Sequence, residues 1–195
     1  MIRFCDIIFS AMGLILLSPL FLVLYILIRV ESKGGGFYAQ ERTGKDGKPF
    51  KLYKFRSMRV GSDAKGLITV GERDNRITRT GYYLRKFKLD ELPQLWNVFI
   101  GDMSLVGPRP EVKKYTDLYT EEQKKVLSIR PGITDWASIE YVDENKILGE
   151  AKNPDDAYVH IIMPDKIKLN MVYINHQTLG EYLKIIFTTF IKIKR

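Results

Sequence analysis

An uncharged stretch from Ile7 to Ile28 restricts the fold more than any other feature of the sequence. A straight helix of this length, at about 1.5 Å per residue, would cross the roughly 30 Å hydrocarbon core of a bilayer. Ser18 and Pro19 interrupt the stretch near its middle, and a proline inside a helix removes a hydrogen bond and bends the axis. The stretch therefore predicts a membrane element with a break, either a kinked spanning helix or a helical hairpin that enters and leaves one leaflet. A signal peptide is disfavoured because no small-residue cleavage site follows.

Length and charge limit the remaining choices. A chain of 195 residues is one domain, or one domain plus a membrane element. The net charge of +8 indicates an anionic partner: nucleic acid, an acidic membrane surface or phosphorylated substrates. A single cysteine, Cys5, excludes an internal disulfide and a thiolate zinc cluster. His160 and His176 lack the spacing of metal ligands, which argues against zinc-hydrolase or Ser-His chemistry.

Two adjacent carboxylates, Asp90 and Glu91, precede an apolar run with helical spacing. The apolar positions recur at i, i+3, i+4 and i+7 and are expected to form one buried face: Leu92, Leu95, Trp96 and Phe99. Pro93 suits the first turn of this helix, and Gly101 suits its end. The two acids would then lie at or just before a helix N-terminus, where the macrodipole favours their ionised form. The simpler alternative is an ordinary helix cap.

The surroundings of the acid pair are basic and rich in glycine and proline. Arg85 precedes the pair, and Gly107–Pro110 follows the helix with a proline on each side of Arg109. Two prolines fix the backbone around a fork-shaped cation, which is useful where a diphosphate must be held in one orientation. Carboxylates among arginines suit a metal-assisted reaction on a phosphate. The alternative for Arg109 is a structural turn with a surface charge.

Three blocks of the sequence resemble one family. Leu89–Gln94, Gly101–Pro110 and Arg130–Thr134 are similar to the motifs of the bacterial sugar transferases, the small monotopic phosphoglycosyl transferases. The resemblance extends from the N-terminal apolar segment to about residue 175. It departs after Thr134, where Asp135-Trp136-Ala137-Ser138 replaces the usual glycine and Ala-Gln pair. The resemblance therefore assigns no substrate contacts to the part of this loop after Thr134.

The resemblance implies a function. Members transfer a sugar-1-phosphate from a nucleoside diphosphate sugar, usually a UDP-sugar, to polyprenyl (undecaprenyl) phosphate. The products are a polyprenyl diphosphate sugar and UMP, and the reaction is the first membrane step of a bacterial glycoconjugate pathway such as exopolysaccharide biosynthesis. By resemblance Asp90 is the nucleophile that carries a covalent phosphosugar intermediate, and Asp90 and Glu91 hold Mg²⁺. Oxygen ligands beside a diphosphate are the setting that Mg²⁺ prefers.

The resemblance also implies a set of substrate-binding residues: Arg85, Arg109, Lys54, Arg56, Arg130 and Thr134. Phe55-Arg56-Ser57-Met58 is similar to a further family block, although a solvated strand end would also explain Lys54 and Arg56. Residues 59–76 are polar and glycine-bearing, and we expect a mobile loop near the active site. The Ser18-Pro19 break is shared with the family and favours the re-entrant hairpin.

The predicted fold class is α+β: a mostly helical, membrane-associated domain with a small β-hairpin. We expect the hairpin strands at 37–42 and 49–55 around a glycine-containing loop. We expect residues 1–33 to form the re-entrant membrane helix, and residues 34–195 to form a catalytic domain on the cytoplasmic face of the bacterial inner membrane.

Further helices are predicted from capping signals. They are expected at 77–87, from Thr120 to about Leu127, from Asn153 to about Met163, from Pro164, and from Thr178 to the C-terminus. The last of these suits an interfacial helix on anionic lipid, the alternative being a core helix with a basic tail.

Two other functions fit parts of the pattern. A membrane-tethered basic protein without catalysis could hold nucleic acid or anionic lipid. The rigid Gly-Pro-Arg-Pro and Arg-Pro-Gly loops argue against it, and nucleic acid is not an expected partner because such sites usually show aromatic stacking platforms. A magnesium-dependent phosphohydrolase acting on a lipid diphosphate is the second alternative. A requirement for a polyprenyl phosphate acceptor would separate the transferase from it.

Overall fold

The computed structural model describes residues 1–62 and 74–193. The fold is mostly helical with a small antiparallel hairpin, which agrees with the predicted α+β class. The α-helices are α1 Ile2–Leu16, α2 Ser18–Glu31, α3 Arg79–Lys86, α4 Gln94–Ile100, α5 Lys113–Thr116, α6 Trp136–Glu140, α7 Glu144–Glu150, α8 Pro154–Ala157, α9 Met163–Asn175 and α10 Leu179–Ile193. Most of the predicted mobile loop, residues 63–73, lies outside the described residues.

Four short strands form two pairs in the described part of the chain. β1 (Phe37–Thr43) and β2 (Pro49–Phe55) are antiparallel, with Phe37 opposite Phe55, which confirms the predicted hairpin. β3 (Ser104–Val106) and β4 (Gly132–Thr134) form a parallel pair. The sequence patterns predicted only rigid loops in and around this second pair, so it is a feature that they missed.

Helix α4 follows the acid pair and ends at Gly101, whose φ of +102° suits glycine. The prediction of its buried face was wrong. The side chains of Trp96 and Phe99 are 47% and 39% exposed, whereas Asn97 is fully buried. The reason is a polar contact: the Asn97 amide bonds to the β2 backbone and turns this side of the helix inward.

The N-terminal apolar stretch forms α1 and α2, which bend by 60° at Leu17 with Pro19 in the first turn of α2. By length and composition, the bent pair together could cross a membrane, and no single helix among the described residues could. Both helices pack on the rest of the protein. The buried Asp6 carboxylate accepts hydrogen bonds from the Ser104 hydroxyl, the Leu105 N–H and the Tyr182 hydroxyl. A charge buried at 1% exposure requires such partners.

The exit from α2 is fixed to α3 by the side chain of Glu31. The Glu31 carboxylate accepts hydrogen bonds from the Arg79 and Thr80 N–H groups at the start of α3. A carboxylate at a helix N-terminus satisfies free donors and opposes the positive end of the dipole. α3 places Arg85 near the acid pair. The end of α2 and the acid pair are therefore linked through α3.

The C-terminal half shows predicted capping signals at Thr120 and Asn153. Thr120 and Gln123 form a reciprocal capping box, although Gln123–Ser128 is a 3₁₀ helix and not an α-helix. The Asn153 side chain caps α8 as predicted. As predicted, Pro164 lies in the first turn of a new α-helix, α9, but the segment before it is not one α-helix, because a wider π turn over Tyr158–Ile162 connects α8 to α9. A π turn ahead of a proline leaves room for the ring within a continuous helix.

Two buried hydrophobic clusters pack between the helices and the short strands. One lies where β3, α6, α9 and α10 meet, and it contains Val106, Ile139, Tyr173, Tyr182 and Ile185. The other lies under α5 and the π turn, and its largest members are Tyr115, Tyr119, Tyr158, Ile162 and Met163. Helix α10 therefore uses one face for the core, while its opposite face exposes Phe187 and Phe190 at 68% and 66%.

Candidate active site

The Glu91 carboxylate is held by two cations. Its Oε1 atom accepts a hydrogen bond from Lys54 Nζ at 2.9 Å and from Arg109 Nη2 at 2.5 Å, and Arg109 Nη1 lies 3.4 Å from Oε2. Although burial alone would raise the pKa of the Glu91 carboxyl, the charges of Arg109 and Lys54 hold it well below its usual range. Glu91 is therefore a fixed anion that sets the positions of two cations.

Asn97 explains why these groups meet. Its Oδ1 accepts the Tyr53 N–H at 3.0 Å, and its Nδ2 donates to the Lys51 carbonyl at 2.7 Å. These bonds attach α4 to the edge of β2 next to Lys54. Because Asp90 and Glu91 lie one turn before α4, in a 3₁₀ turn over Leu89–Glu91, the attachment brings them against Lys54.

Asp90 differs from its neighbour. Its side chain is 7% exposed and accepts no hydrogen bond from the residues that the structure describes. Burial raises the pKa of the Asp90 carboxyl; the charge of Lys54 opposes this effect, and the anionic Glu91 adds to it. The expectation that a helix N-terminus keeps Asp90 ionised was wrong in its cause, because Asp90 precedes α4 without capping it. Lys54, Arg85 and Arg109 favour the charged form, but burial and Glu91 outweigh them, so the pKa of the Asp90 carboxyl is raised.

The loop that carries Arg109 is fixed by a residue that the sequence reasoning missed. Asp135 is 1% exposed, and its Oδ2 accepts the Arg109 N–H at 3.0 Å while Oδ1 accepts the Ser138 N–H. Asp135 is also the N-cap of α6. An aspartate placed directly before Trp-Ala-Ser is a cap signal that could have been read from the sequence. Its other partner, the Arg109 N–H, could not be read from the sequence.

Asp90, Arg85, Lys54 and Arg109 line one cleft of about 470 Å³. Apart from these, its charged lining residues in the described part of the chain are Arg42, Arg56, Arg59, Arg76, Glu111, Glu144 and Lys166. Cations thus outnumber anions around Asp90. Such a cleft attracts anions and can hold several phosphate oxygens at once.

Three other predicted site residues have different surroundings. Arg56 lines the cleft, but its guanidinium donates to the carbonyls of Ser32 and Lys33 at the end of α2. Arg130 is exposed, and its Nε donates to the Gly101 carbonyl at 2.8 Å. The Thr134 hydroxyl is 2.7 Å from that of Thr189 on α10. Neither Arg130 nor Thr134 is among the described residues that line the cleft.

The acid pair offers oxygen ligands but no complete metal site. Among the described residues, no group of three or more His, Cys, Asp or Glu side chains could hold a metal ion. Both Asp90 oxygens and Oε2 of Glu91 retain lone pairs, and Mg²⁺ is commonly bound by one or two carboxylates together with substrate phosphates. The residues therefore fit Mg²⁺ only if phosphate oxygens complete its ligand set.

Taken together, an unbonded buried carboxylate faces arginines in a cationic cleft, beside a second carboxylate that is already paired. This arrangement can bind a phosphorylated compound and present an oxygen nucleophile to it. Fold and site thus define a cationic, phosphate-binding type of cleft beside an apolar helical pair.

The chain belongs to the bacterial sugar transferase family, whose model matches residues 1–195. It is 37% identical over 190 residues to the UDP-N-acetylgalactosamine-undecaprenyl-phosphate N-acetylgalactosaminephosphotransferase of Aeromonas hydrophila, covering 96% of this chain and 42% of that protein. It is 38% identical over 193 residues to the UDP-glucose:undecaprenyl-phosphate glucose-1-phosphate transferase of Klebsiella pneumoniae, covering 97% of this chain and 39% of the relative.

A third relative is the putative undecaprenyl-phosphate N-acetylgalactosaminyl 1-phosphate transferase of Bacillus subtilis (strain 168). It is 47% identical over 120 residues, which cover 62% of this chain and 67% of that protein. The chain thus spans about two fifths of the length of the Aeromonas and Klebsiella proteins. The resemblance predicted from the three sequence blocks is confirmed.

Proposed function

We propose that this protein transfers a sugar-1-phosphate from a UDP-sugar to undecaprenyl phosphate. The observation that carries the proposal is the inequality of the two acids: Glu91 is paired with Arg109 and Lys54, whereas the adjacent Asp90 is left to react. The relatives whose names print this reaction support the substrate classes. UMP would be the other product.

In the proposed reaction, an Asp90 oxygen attacks the phosphorus that bears the sugar, and the bond from this phosphorus to the UMP oxygen breaks. The sugar phosphate is then held on the Asp90 carboxyl as an acyl phosphate. A phosphate oxygen of undecaprenyl phosphate attacks the same phosphorus, and the bond to Asp90 breaks. One difficult step becomes two easier ones, while Arg85 and Arg109 stabilise the charge on the transferring group.

The proposal includes Mg²⁺, which Asp90 and Glu91 would hold together with the diphosphate of the donor. When bound, it would supply charge neutralisation on the leaving phosphate. Glu91 keeps Arg109 and Lys54 in place during the reaction through its Oε1 atom. The low pKa of the Glu91 carboxyl means that it stays an anion and acts through position.

Membrane association is also proposed, with α1 and α2 as a re-entrant element broken at Ser18 and Pro19. Exposed apolar side chains on elements that all contact β3 support it. They include Ile15 and Leu16 at the end of α1, Trp96, Phe99 and Ile100 on α4, and Phe187, Phe190 and Ile191 on α10. Soluble proteins rarely expose so many large apolar residues without a partner. The interfacial role for α10 rests on the same surface.

We infer from this that the catalytic residues, 34–195, act on the cytoplasmic face of the bacterial inner membrane, where anionic lipid meets the basic surface. One substrate is soluble, and the phosphate of the other lies at headgroup depth. A site rigidly joined to α2 through Glu31 and Arg56 would stay at that depth.

Replacing Asp90 with asparagine tests the proposal. Asp90→Asn keeps the shape and removes the nucleophilic oxygen, so turnover is expected to fall by about 10⁴-fold or more. The assay is UMP release and lipid-linked product formation in detergent with Mg²⁺, a UDP-sugar and undecaprenyl phosphate. Incubation of the parent protein with donor alone should add one sugar phosphate to its mass, and Asp90→Asn should abolish this addition.

The matched control is Asp117→Asn, which neutralises an exposed aspartate that pairs with Lys113. It should retain parent turnover. Near-parent activity in Asp90→Asn would contradict the assignment of Asp90 as the nucleophile. Continued UMP release beyond one equivalent per protein in the absence of undecaprenyl phosphate would favour a hydrolase over a transferase.

A further inference from the structure

The cleft has a second polar centre beyond Arg109, which the proposed reaction does not use. We name it the Lys166 cluster: Lys166, Glu111, Glu144, Tyr115 and Tyr158. All five line the same cleft as Asp90. Lys166 Nζ donates to Glu144 Oε2 at 2.8 Å and lies 4.0 Å from Glu111 Oε1, and the Tyr158 hydroxyl donates to Glu111. Lys166 is only 6% exposed, so the site is built into the fold.

The charge of this cluster differs from that around Asp90. The Lys166 ammonium and the Arg42 guanidinium, which lies 3.9 Å from Glu111 Oε2, balance the two carboxylates, whereas Asp90 lies near Lys54, Arg85 and Arg109. A diphosphate would therefore gain less attraction from this balanced cluster than from the cations around Asp90. The Lys166 cluster therefore suits an uncharged, hydroxyl-bearing part of a ligand whose phosphates lie at Asp90.

The groups available at this centre fit a sugar ring. Oε1 of Glu144 accepts no hydrogen bond from the described residues, and the Glu144 side chain is 28% exposed toward the cleft. Tyr115 and Tyr158 line the cleft with little exposed area, 4% each, and their ring centroids are 4.9 Å apart. Their hydroxyls are already bonded to Asp155 and Glu111, which fixes the rings. An open carboxylate oxygen beside fixed rings can select one hydroxyl configuration.

We propose that the Lys166 cluster is the subsite for the sugar of the donor and that Glu144 reads the configuration of one of its hydroxyls. This proposal rests on the proposed transferase function. The Aeromonas and Klebsiella relatives differ in the sugar that their names print, N-acetylgalactosamine or glucose, although each matches nearly the whole chain. Residues outside the three motif blocks are therefore candidates for distinguishing the sugars, and Glu144 and Lys166 lie outside those blocks.

The test compares donors that differ at one hydroxyl. The parent, Glu144→Gln and the control Glu150→Gln are assayed for kcat/KM with UDP-glucose, UDP-galactose and their N-acetyl counterparts. Glu150 is exposed on the same helix and does not line the cleft. In Glu144→Gln, the kcat/KM ratio between the preferred sugar and its C4 epimer, or its 2-hydroxyl or 2-acetamido counterpart, should fall by about 10-fold or more. In Glu150→Gln, the ratio should not change.

Inhibition by UDP, which lacks the sugar, supplies the second measurement. Its inhibition constant should be the same in the parent and in Glu144→Gln, and thermal unfolding in detergent should show that the variant is folded. A raised constant for UDP would assign the cluster to the nucleoside and overturn the sugar subsite, as would unchanged sugar ratios. If the parent uses no UDP-sugar at all, the transferase proposal itself fails, and the subsite fails with it.

Discussion

The Gly107–Pro110 loop and the Arg130–Thr134 loop have similar compositions but different roles in the fold. Each combines glycine, proline and one arginine. Arg109 reaches into the cleft and pairs with Glu91, whereas Arg130 lies on the surface and bonds to the Gly101 carbonyl. Composition predicts that both loops are rigid, but it does not tell which arginine faces the substrate.

The two loops are also one structure. The Gly107 N–H donates to the Thr134 carbonyl, and the Gly132 N–H donates to the Pro108 carbonyl, each at 3.0 Å. The backbones approach so closely that a Cβ on Gly132 would lie 2.1 Å from the Gly107 nitrogen. The second loop therefore acts as a frame on which the first is set. A residue can belong to a functional motif because it holds another motif in place.

The arginines provide the largest expected difference. Arg109→Ala removes a charge from the cleft and leaves Glu91 with Lys54 alone, so kcat/KM should fall by about 10²–10³-fold. Arg130→Ala removes an exposed contact, for which a change within about threefold is expected. Both are measured as sugar phosphate transfer to undecaprenyl phosphate. Both variants should unfold at the same temperature as the parent. Equal losses of activity would then contradict the claim that Arg109 faces the substrate and Arg130 does not.

The frame itself can be tested at Gly132. Gly132→Ala drives a methyl group into the Gly107 backbone, which cannot move without breaking the β3–β4 pair. We expect a loss of about 1–3 kcal/mol in the free energy of unfolding and a lower activity, because Arg109 shifts with its loop. The matched control is Gly180→Ala in α10, where a Cβ meets nothing closer than 3.9 Å. There alanine should be neutral or stabilising.

An intact stability in Gly132→Ala would mean that the loops can separate without cost. An intact stability with lost activity would instead assign Gly132 a direct role in the site. Either result would contradict the view of the second loop as a frame.

Local signals predicted much of this fold, because they depend on neighbours in the chain. The hairpin, the Thr120 and Asn153 caps and the helix end at Gly101 follow from residues within a few positions of each other. The location of the acid pair before a helix follows in the same way. These features needed no knowledge of what lies across the molecule.

Long-range polar partners were the part that could not be predicted. Asp6, Asn97 and Asp135 are nearly or fully buried, and each bonds to a segment far away in the sequence. Any of the three would ordinarily be placed on the surface. The inward turn of Asn97 also exposed Trp96, so an apolar periodicity that suggested a core face instead supplies an exposed apolar surface.

The smallest expected effect is at Thr134, which resemblance assigned to substrate binding. Its hydroxyl shares a hydrogen bond with Thr189 of α10, so Thr134→Val should cost about 1 kcal/mol of stability and leave kcat/KM within about threefold of the parent. A double-mutant cycle with Thr189→Val should give a coupling free energy of about 0.5–1.5 kcal/mol by chemical denaturation. A tenfold loss of activity in Thr134→Val with no coupling would place the hydroxyl on the substrate. The second loop would then contact the donor as the first one does, and the distinction between frame and site would fail at this residue.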